Sequence, residues 1–224
     1  MNNANTVATY YERLVTKDFQ VELAKERSKS ARSRVKWQVD DYTNNPWVNN
    51  LSGAYPVYAY HINQAANEAK TWTDEYVGDP LVQENRGDCF RHCVWNVQSC
   101  CKVFRLGYSK WSVLDRVREF ATAFEKQRPN GDIPVTPQTA MDLHNNAFGR
   151  TYAMYATGSN IFDMATNVPH SDKIKSDFLY HVNNTSLMRI RTTVPDILNL
   201  VGFDFNGLAN ANYFGYDYGV ALYY

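Results

Sequence analysis

The chain has 224 residues, 44% of them apolar and 21% charged, with 23 basic residues balancing 23 acidic ones. That composition is globular, large enough to bury roughly 70% of the unfolded surface without disulfides or metal. Charge neutrality argues against a general nucleic-acid binder, whose affinity comes from neutralising phosphates, and no apolar stretch approaches the ~20 residues that a membrane span needs. The start, Met1-Asn2-Asn3-Ala4-Asn5, lacks the basic and apolar regions of a secretion signal, so synthesis in the cytoplasm is expected.

In chain order, residues 6–40 read as helix, with eight Lys/Arg against four Asp/Glu over 12–36. This basic stretch is either a solvated helix face or a docking surface for an anionic partner. Residues 43–56 read as loop from their Asn, Pro, Ser and Gly content. Val57–Tyr60 suits a short strand, His61–Tyr76 a helix, and Gly78-Asp79-Pro80 a stop. These boundaries suggest a helical extension over 1–55 and a core over 56–224 within one domain. The next helix opens at Asp88 and runs to about Phe104, closed by Gly107. Ser109 caps another, with Trp111, Leu114, Val117, Phe120, Ala121 and Phe124 at helical spacing, ending by Pro129-Asn130-Gly131. Thr136-Pro137 places a cap before a proline at the first helical position. The segment that follows, 140–156, fits either helix or strand, because Asn145-Asn146 and Gly149 weaken the helical pattern. Shorter elements follow at 161–166, 172–182 (helical) and 187–193, and the tyrosine-rich stretch 213–224 reads as strand.

The four cysteines, Cys89, Cys93, Cys100 and Cys101, crowd into one predicted helix, a poor disulfide framework. Reduced thiols are expected. Cys89 alone falls at a helix start, where the dipole and amide groups lower a thiol pKa. It is either the nucleophile or a buried gap-filler. A thiol nucleophile needs a base; the candidates are His61, His92, His144, His170 and His181, of which His92 and His144 stand out by their neighbours. Asp142-Leu143-His144-Asn145-Asn146 gathers an acid, an imidazole and two amides. On a strand Asp142 shares a face with His144; on a helix it points away, and Asn145 would hold the ring. Asp88, four residues before His92, either orients that imidazole or only caps the helix. Arg91 and Arg150 either bind a substrate carboxylate or tie elements together. Trp95 is either a substrate platform or core. Cys89, His92, Cys93 and His144 include zinc-capable side chains, but their spacing matches no common zinc pattern. No metal and no cofactor are expected. Gly-rich phosphate loops and a Gly-x-Ser-x-Gly elbow are absent from the sequence.

The pair of segments Gly87–Asn96 and Met141–Arg150 resembles a bacterial domain of unknown function, with Arg-His-x-x-Trp-Asn and Asp-x-His-Asn-Asn-x-x-Gly-Arg as its motifs. The chain also resembles type VI secretion effectors of the NlpC-type, papain-like cysteine endopeptidase class. That resemblance implies an α+β fold, helix-rich with a papain-like core and a small sheet; a mainly α fold is the alternative. It implies an antibacterial effector that cuts the peptidoglycan stem peptide in a rival's periplasm. It would be delivered by a type VI system on a PAAR spike protein and neutralised in the producer by a cognate immunity protein. In that scheme Cys89 attacks, His144 is the base, and Asp142 or Asn145 orients it, with His92 as an alternative base. Arg91, Trp95 and Arg150 would contact substrate. The competing expectations are a histidine-centred or metal-dependent hydrolase of envelope lipid or glycan, with Cys89 as packing, and a non-catalytic envelope-binding protein.

Overall fold

In the computed structural model, residues 45–77, 86–126, 130–157, 167–183, 189–190, 193–201, 204–212 and 222–223 are described. Eight helices carry these segments: α1 (Pro46–Ala54), α2 (Pro56–Tyr76), α3 (Arg86–Phe104), α4 (Lys110–Phe124), α5 (Pro137–Ala156), α6 (Ser171–Asn183), α7 (Val194–Val201) and α8 (Phe205–Asn210). One parallel pairing, only two residues long, joins β1 (Arg189–Ile190) to β2 (Leu222–Tyr223). The protein is therefore mainly α. The expected α+β fold with a papain-like sheet is corrected, because 140–156, the segment that would have had to supply the strand bearing His144, is the interior of helix α5.

The helix starts follow from local chemistry. Thr136 accepts a hydrogen bond from the Thr139 amide with Pro137 at the first position, and Ser109 accepts from Ser112. The same logic operates where the sequence reading expected loop and strand. Asn45 accepts from the Trp47 and Val48 amides ahead of Pro46, so α1 forms within 43–56. Pro56 then opens α2, which absorbs Val57–Tyr60. Helix α1 belongs with the core rather than with an extension: Val48 is fully buried, and the Asn45 amide donates to the Ala123 carbonyl at 3.1 Å. Gly107 ends the turn after α3 with φ +80°, a conformation that glycine adopts freely. The predicted helix over 6–40, the stop at 78–80, the element at 161–166 and most of 213–224 lie outside the described residues.

Helix α3 is the central element. Only Arg86, Arg91 and Lys102 along it escape full burial. A helix enclosed on all sides is usually apolar throughout, yet this one buries Asp88, His92, Asn96, Gln98 and Ser99. Such groups must find partners, and α5 supplies most of them. His92 meets Asn146, and Asn96 meets both Asn146 and Arg150. Partner numbers rise together along both helices, so α3 and α5 run in the same direction. Their approach is close at Gly149, where a Cβ would overlap the Cys93 carbonyl oxygen. Helix α6 runs antiparallel to both, as shown by the pairs Arg86–Asn183 and Gln98–Ser171 on α3 and by His181–Phe148 and Asp177–Tyr152 on α5. Helix α4 starts at the far end of α5, where Lys110 donates to the Met154 carbonyl at 2.8 Å. At its other end Phe124 packs on Trp95 of α3, and Glu125 just beyond feels the charges of Asp142, His92 and Asp88. A second, smaller apolar cluster joins Met141, Leu143 and Ala147 of α5 to Ile197 and Leu208.

Candidate active site

Two ladders of polar residues face each other across the α3–α5 contact. Asp88, His92 and Asn96 occupy successive turns of α3, and Asp142, Asn146 and Arg150 occupy successive turns of α5. A four-residue step keeps side chains on one helix face, so each ladder is a stripe. The parallel arrangement brings the stripes into register.

His92 is gripped from two sides. Its Nε2 lies 3.2 Å from Asp142 Oδ1 and 3.5 Å from Asp88 Oδ1. Its Nδ1 lies 3.1 Å from Asn146 Oδ1. The direction of that last bond follows from a chain that starts at Arg150. A guanidinium can only donate, and Arg150 donates to Asn96 Oδ1 at 2.6 Å. Asn96 must then present its amide nitrogen to Asn146 Oδ1, also at 2.6 Å. Asn146 Oδ1 is thereby an acceptor, and His92 Nδ1 carries a proton in either charge state. Nε2 is left to face the two carboxylates.

Arg150 itself is fully buried, with its remaining nitrogens donating to the Ala211 and Asn212 carbonyls, both at 2.9 Å. Burial lowers its pKa to about 9. It is a clamp between α5, α3 and the end of α8, and the expected role in substrate binding is corrected. Trp95 is likewise core: its indole donates to the Ile62 carbonyl at 3.2 Å, and its ring packs edge-on against His92 and Phe124. Arg91 does sit at the site, paired with Asp88, and its side chain is a quarter exposed.

The electrostatics are strongly perturbed. Burial alone would lower the His92 pKa, but the charges of Asp142 and Asp88 and a hydrogen bond with Asp88 outweigh it and raise the imidazole to about 10, against the opposing charge of Arg91. Glu125, just past α4, is raised to about 8 by burial and by Asp142 and Asp88, while His92 and Arg91 act the other way. Its Oε1 is sealed from solvent and has no hydrogen-bond partner among the described residues. The cluster opens toward solvent on one edge: the Asp142 side chain is 16% exposed, against 4% for Asp88 and 6% for His92.

The residues expected to form a thiol dyad are arranged differently. Cys89 is fully buried in the first turn of α3 as described. Burial pushes its thiol pKa well up, as do a hydrogen bond with Cys93 and the charges of Cys93, Asp88 and Asp142. The expected activated thiolate is therefore corrected. Burial above all, with the neighbouring charges, opposes its ionisation. His144 and Asn145 are fully buried on α5. Because 140–156 is helical, Asp142 and His144 point to different faces; the acid assigned to His144 serves His92 instead. The amide that holds an imidazole is Asn146, next to the expected Asn145. Asn96 and Asn146 stand in the two sequence motifs without a role assigned to them, although the four-residue steps from Asp88 and Asp142 point to one, and Glu125 is not singled out by the sequence.

The profile of a domain of unknown function, DUF6973, matches residues 50–173. The chain belongs to the DUF6973 family. Both polar ladders and Glu125 lie inside the DUF6973 segment, whereas the Ala211 and Asn212 carbonyls that anchor Arg150 lie outside it. No curated protein and no solved structure matches the chain. Among the described residues, no helix is long and apolar enough to cross a membrane.

Proposed function

We propose that this protein is a hydrolase whose chemistry is carried by His92 between Asp88 and Asp142. The supporting observation is the two-sided hold on His92: Asn146 fixes Nδ1, while Nε2 faces two carboxylates at an edge that opens through Asp142. A buried imidazole in a purely structural role needs one or two neutral acceptors. Two carboxylates, a nearby guanidinium and a third carboxylate with a raised pKa are the combination found where protons are moved. A water at the open edge gives a proton to the carboxylate–imidazole cluster. Its oxygen adds to the carbonyl carbon or phosphorus of the substrate, and the leaving group takes the proton back. Arg91 is placed to attract an anionic part of the substrate.

The substrate and setting in this proposal come from the resemblance of the whole chain to type VI secretion effectors: an envelope polymer or lipid of a rival bacterium, reached by type VI delivery on a PAAR spike, with an immunity protein in the producer. Within that setting the buried, poorly ionised Cys89 gives the thiol peptidase less support than the histidine centre. The test is expression in the periplasm of a susceptible bacterium, followed by mass spectrometry of its peptidoglycan and lipids. The expected result is envelope breakdown by the unmodified chain and by Cys89→Ala, with loss in His92→Gln and Asp142→Asn. Breakdown that disappears in a folded Cys89→Ala protein and persists in His92→Gln would restore the thiol peptidase and end this proposal.

A further inference from the structure

We propose that Asp88, His92 and Asp142 form a binding site for a divalent first-row transition ion, zinc or manganese, with Glu125 as an acid–base group beside it. This deepens the hydrolase reading and rests on it for the ion's catalytic use, though not for its binding.

The first argument is distance. One ligand atom from each of the three residues lies within 4.8 Å of the other two. His92 Nε2 stands 3.2 Å and 3.5 Å from the two carboxylate oxygens. Ligands around an ion with bonds of about 2.1 Å sit about 3.0 to 3.4 Å apart along octahedral or tetrahedral edges. The two histidine–carboxylate separations are close to those edges, and the two carboxylates lie within 4.8 Å of each other.

The second argument is the preparation of the histidine. A metal-binding imidazole characteristically donates its other N–H to an oxygen acceptor, which sets the tautomer and aims the lone pair. The Arg150–Asn96–Asn146 chain does this for His92, leaving Nε2 aimed at the carboxylates. Such a relay, built from three buried side chains on two helices, is more than a buried ion pair requires.

The third argument is charge and vacancy. Asp88, Asp142 and Glu125 bring three carboxylates together against the single guanidinium of Arg91. Glu125 Oε1, enclosed and without a hydrogen-bond partner among the described residues, is available to a water on the ion. Three protein ligands with a partly open edge at Asp142 describe a catalytic rather than a closed structural site. One nitrogen and two carboxylate oxygens suit zinc or manganese better than thiophilic ions. No zinc pattern is visible in the sequence because the ligands are divided between two helices fifty residues apart.

The test is titration of the full chain, stripped with chelator and dialysed, with Zn²⁺ and Mn²⁺ in a calorimeter, and with Mn²⁺ by electron paramagnetic resonance. One equivalent of at least one ion should bind and raise the melting temperature. Asp142→Asn, which keeps the side chain's shape at a partly exposed position, should weaken binding by more than the about 10- to 100-fold typical of losing an outer-shell partner. Cys89→Ala should bind as the unmodified chain does. Absence of stoichiometric binding of either ion, or binding unchanged by Asp142→Asn, would overturn the proposal. Binding without envelope breakdown would uphold the metal site and remove the hydrolase. Breakdown by a chain that binds neither ion would do the reverse.

Discussion

Gly149 of α5 lies directly against the backbone carbonyl oxygen of Cys93 on α3. An added Cβ would overlap that oxygen and would also come within 3.0 Å of Asn96 Cβ. In most helices Gly→Ala gains about 0.5–1 kcal/mol. Here the obstacle is backbone, which cannot rotate aside. Gly149→Ala is expected to destabilise the protein by about 1–3 kcal/mol, the usual range for overpacking. It should also draw Asp142 and Asn146 away from His92. Urea denaturation reads the first effect. Weakened Zn²⁺ or Mn²⁺ binding in the folded variant reads the second.

Arg150 is expected to be more costly to lose than any exposed arginine. Arg150→Ala leaves Asn96 Oδ1 and the Ala211 and Asn212 carbonyls without their donor. Hydrogen bonds from a charged group contribute about 1.5–3 kcal/mol each, and they are not additive. A loss on the order of 3 kcal/mol is expected in equilibrium unfolding. The exposed Lys173→Ala should cost well under 1 kcal/mol, because its i,i+4 pair with Asp177 is solvated.

The cysteines are expected to be inert in the native protein. All four are free and fully buried, and burial raises the thiols of Cys89, Cys100 and Cys101, the last to about 12. Iodoacetamide at neutral pH should leave the folded chain unlabelled and label all four in urea. Rapid labelling of Cys89 alone in the native state would contradict the burial described here and revive it as a nucleophile.

His61 supplies a pH dependence separate from the site. Burial and the charge of Lys102 lower it from 6.5 to about 4, against a hydrogen bond with Gln64. The unfolded chain then binds the proton more readily than the folded one. The stability contributed by keeping His61 neutral is complete above about pH 6.5 and is lost as pH falls from there toward 4. Melting temperatures at pH 7 and pH 5 should differ less in His61→Phe than in the unmodified chain. Equal differences in the two proteins would refute this assignment.

The sequence disclosed those parts of the fold that are written locally. The caps at Ser109 and Thr136, the proline after Thr136 and the stop at Gly107 all stand where they were read. Asn45-Pro46 carries the same information as Thr136-Pro137, but the surrounding turn-forming residues obscured it. The segment 140–156 was ambiguous for a different reason. Asn145, Asn146 and Gly149 are weak helix formers, and tertiary demands place them there: Asn146 to hold His92 and Gly149 to admit α3. At the site, the Asp88–His92 spacing was legible because it is local. The pairing of His92 with Asp142 was not, because it depends on two helices lying parallel and in register. Local reading attached Asp142 to His144, its neighbour in sequence and not in space.

The Arg150 clamp has a consequence for biosynthesis. Its last two acceptors are the carbonyls of Ala211 and Asn212, more than sixty positions downstream. Until the ribosome has extruded that stretch, the guanidinium has only Asn96 to hold, and the imidazole it ultimately steers lacks a settled orientation. A nascent chain would thus bring the His92 cluster to its final geometry only late in translation.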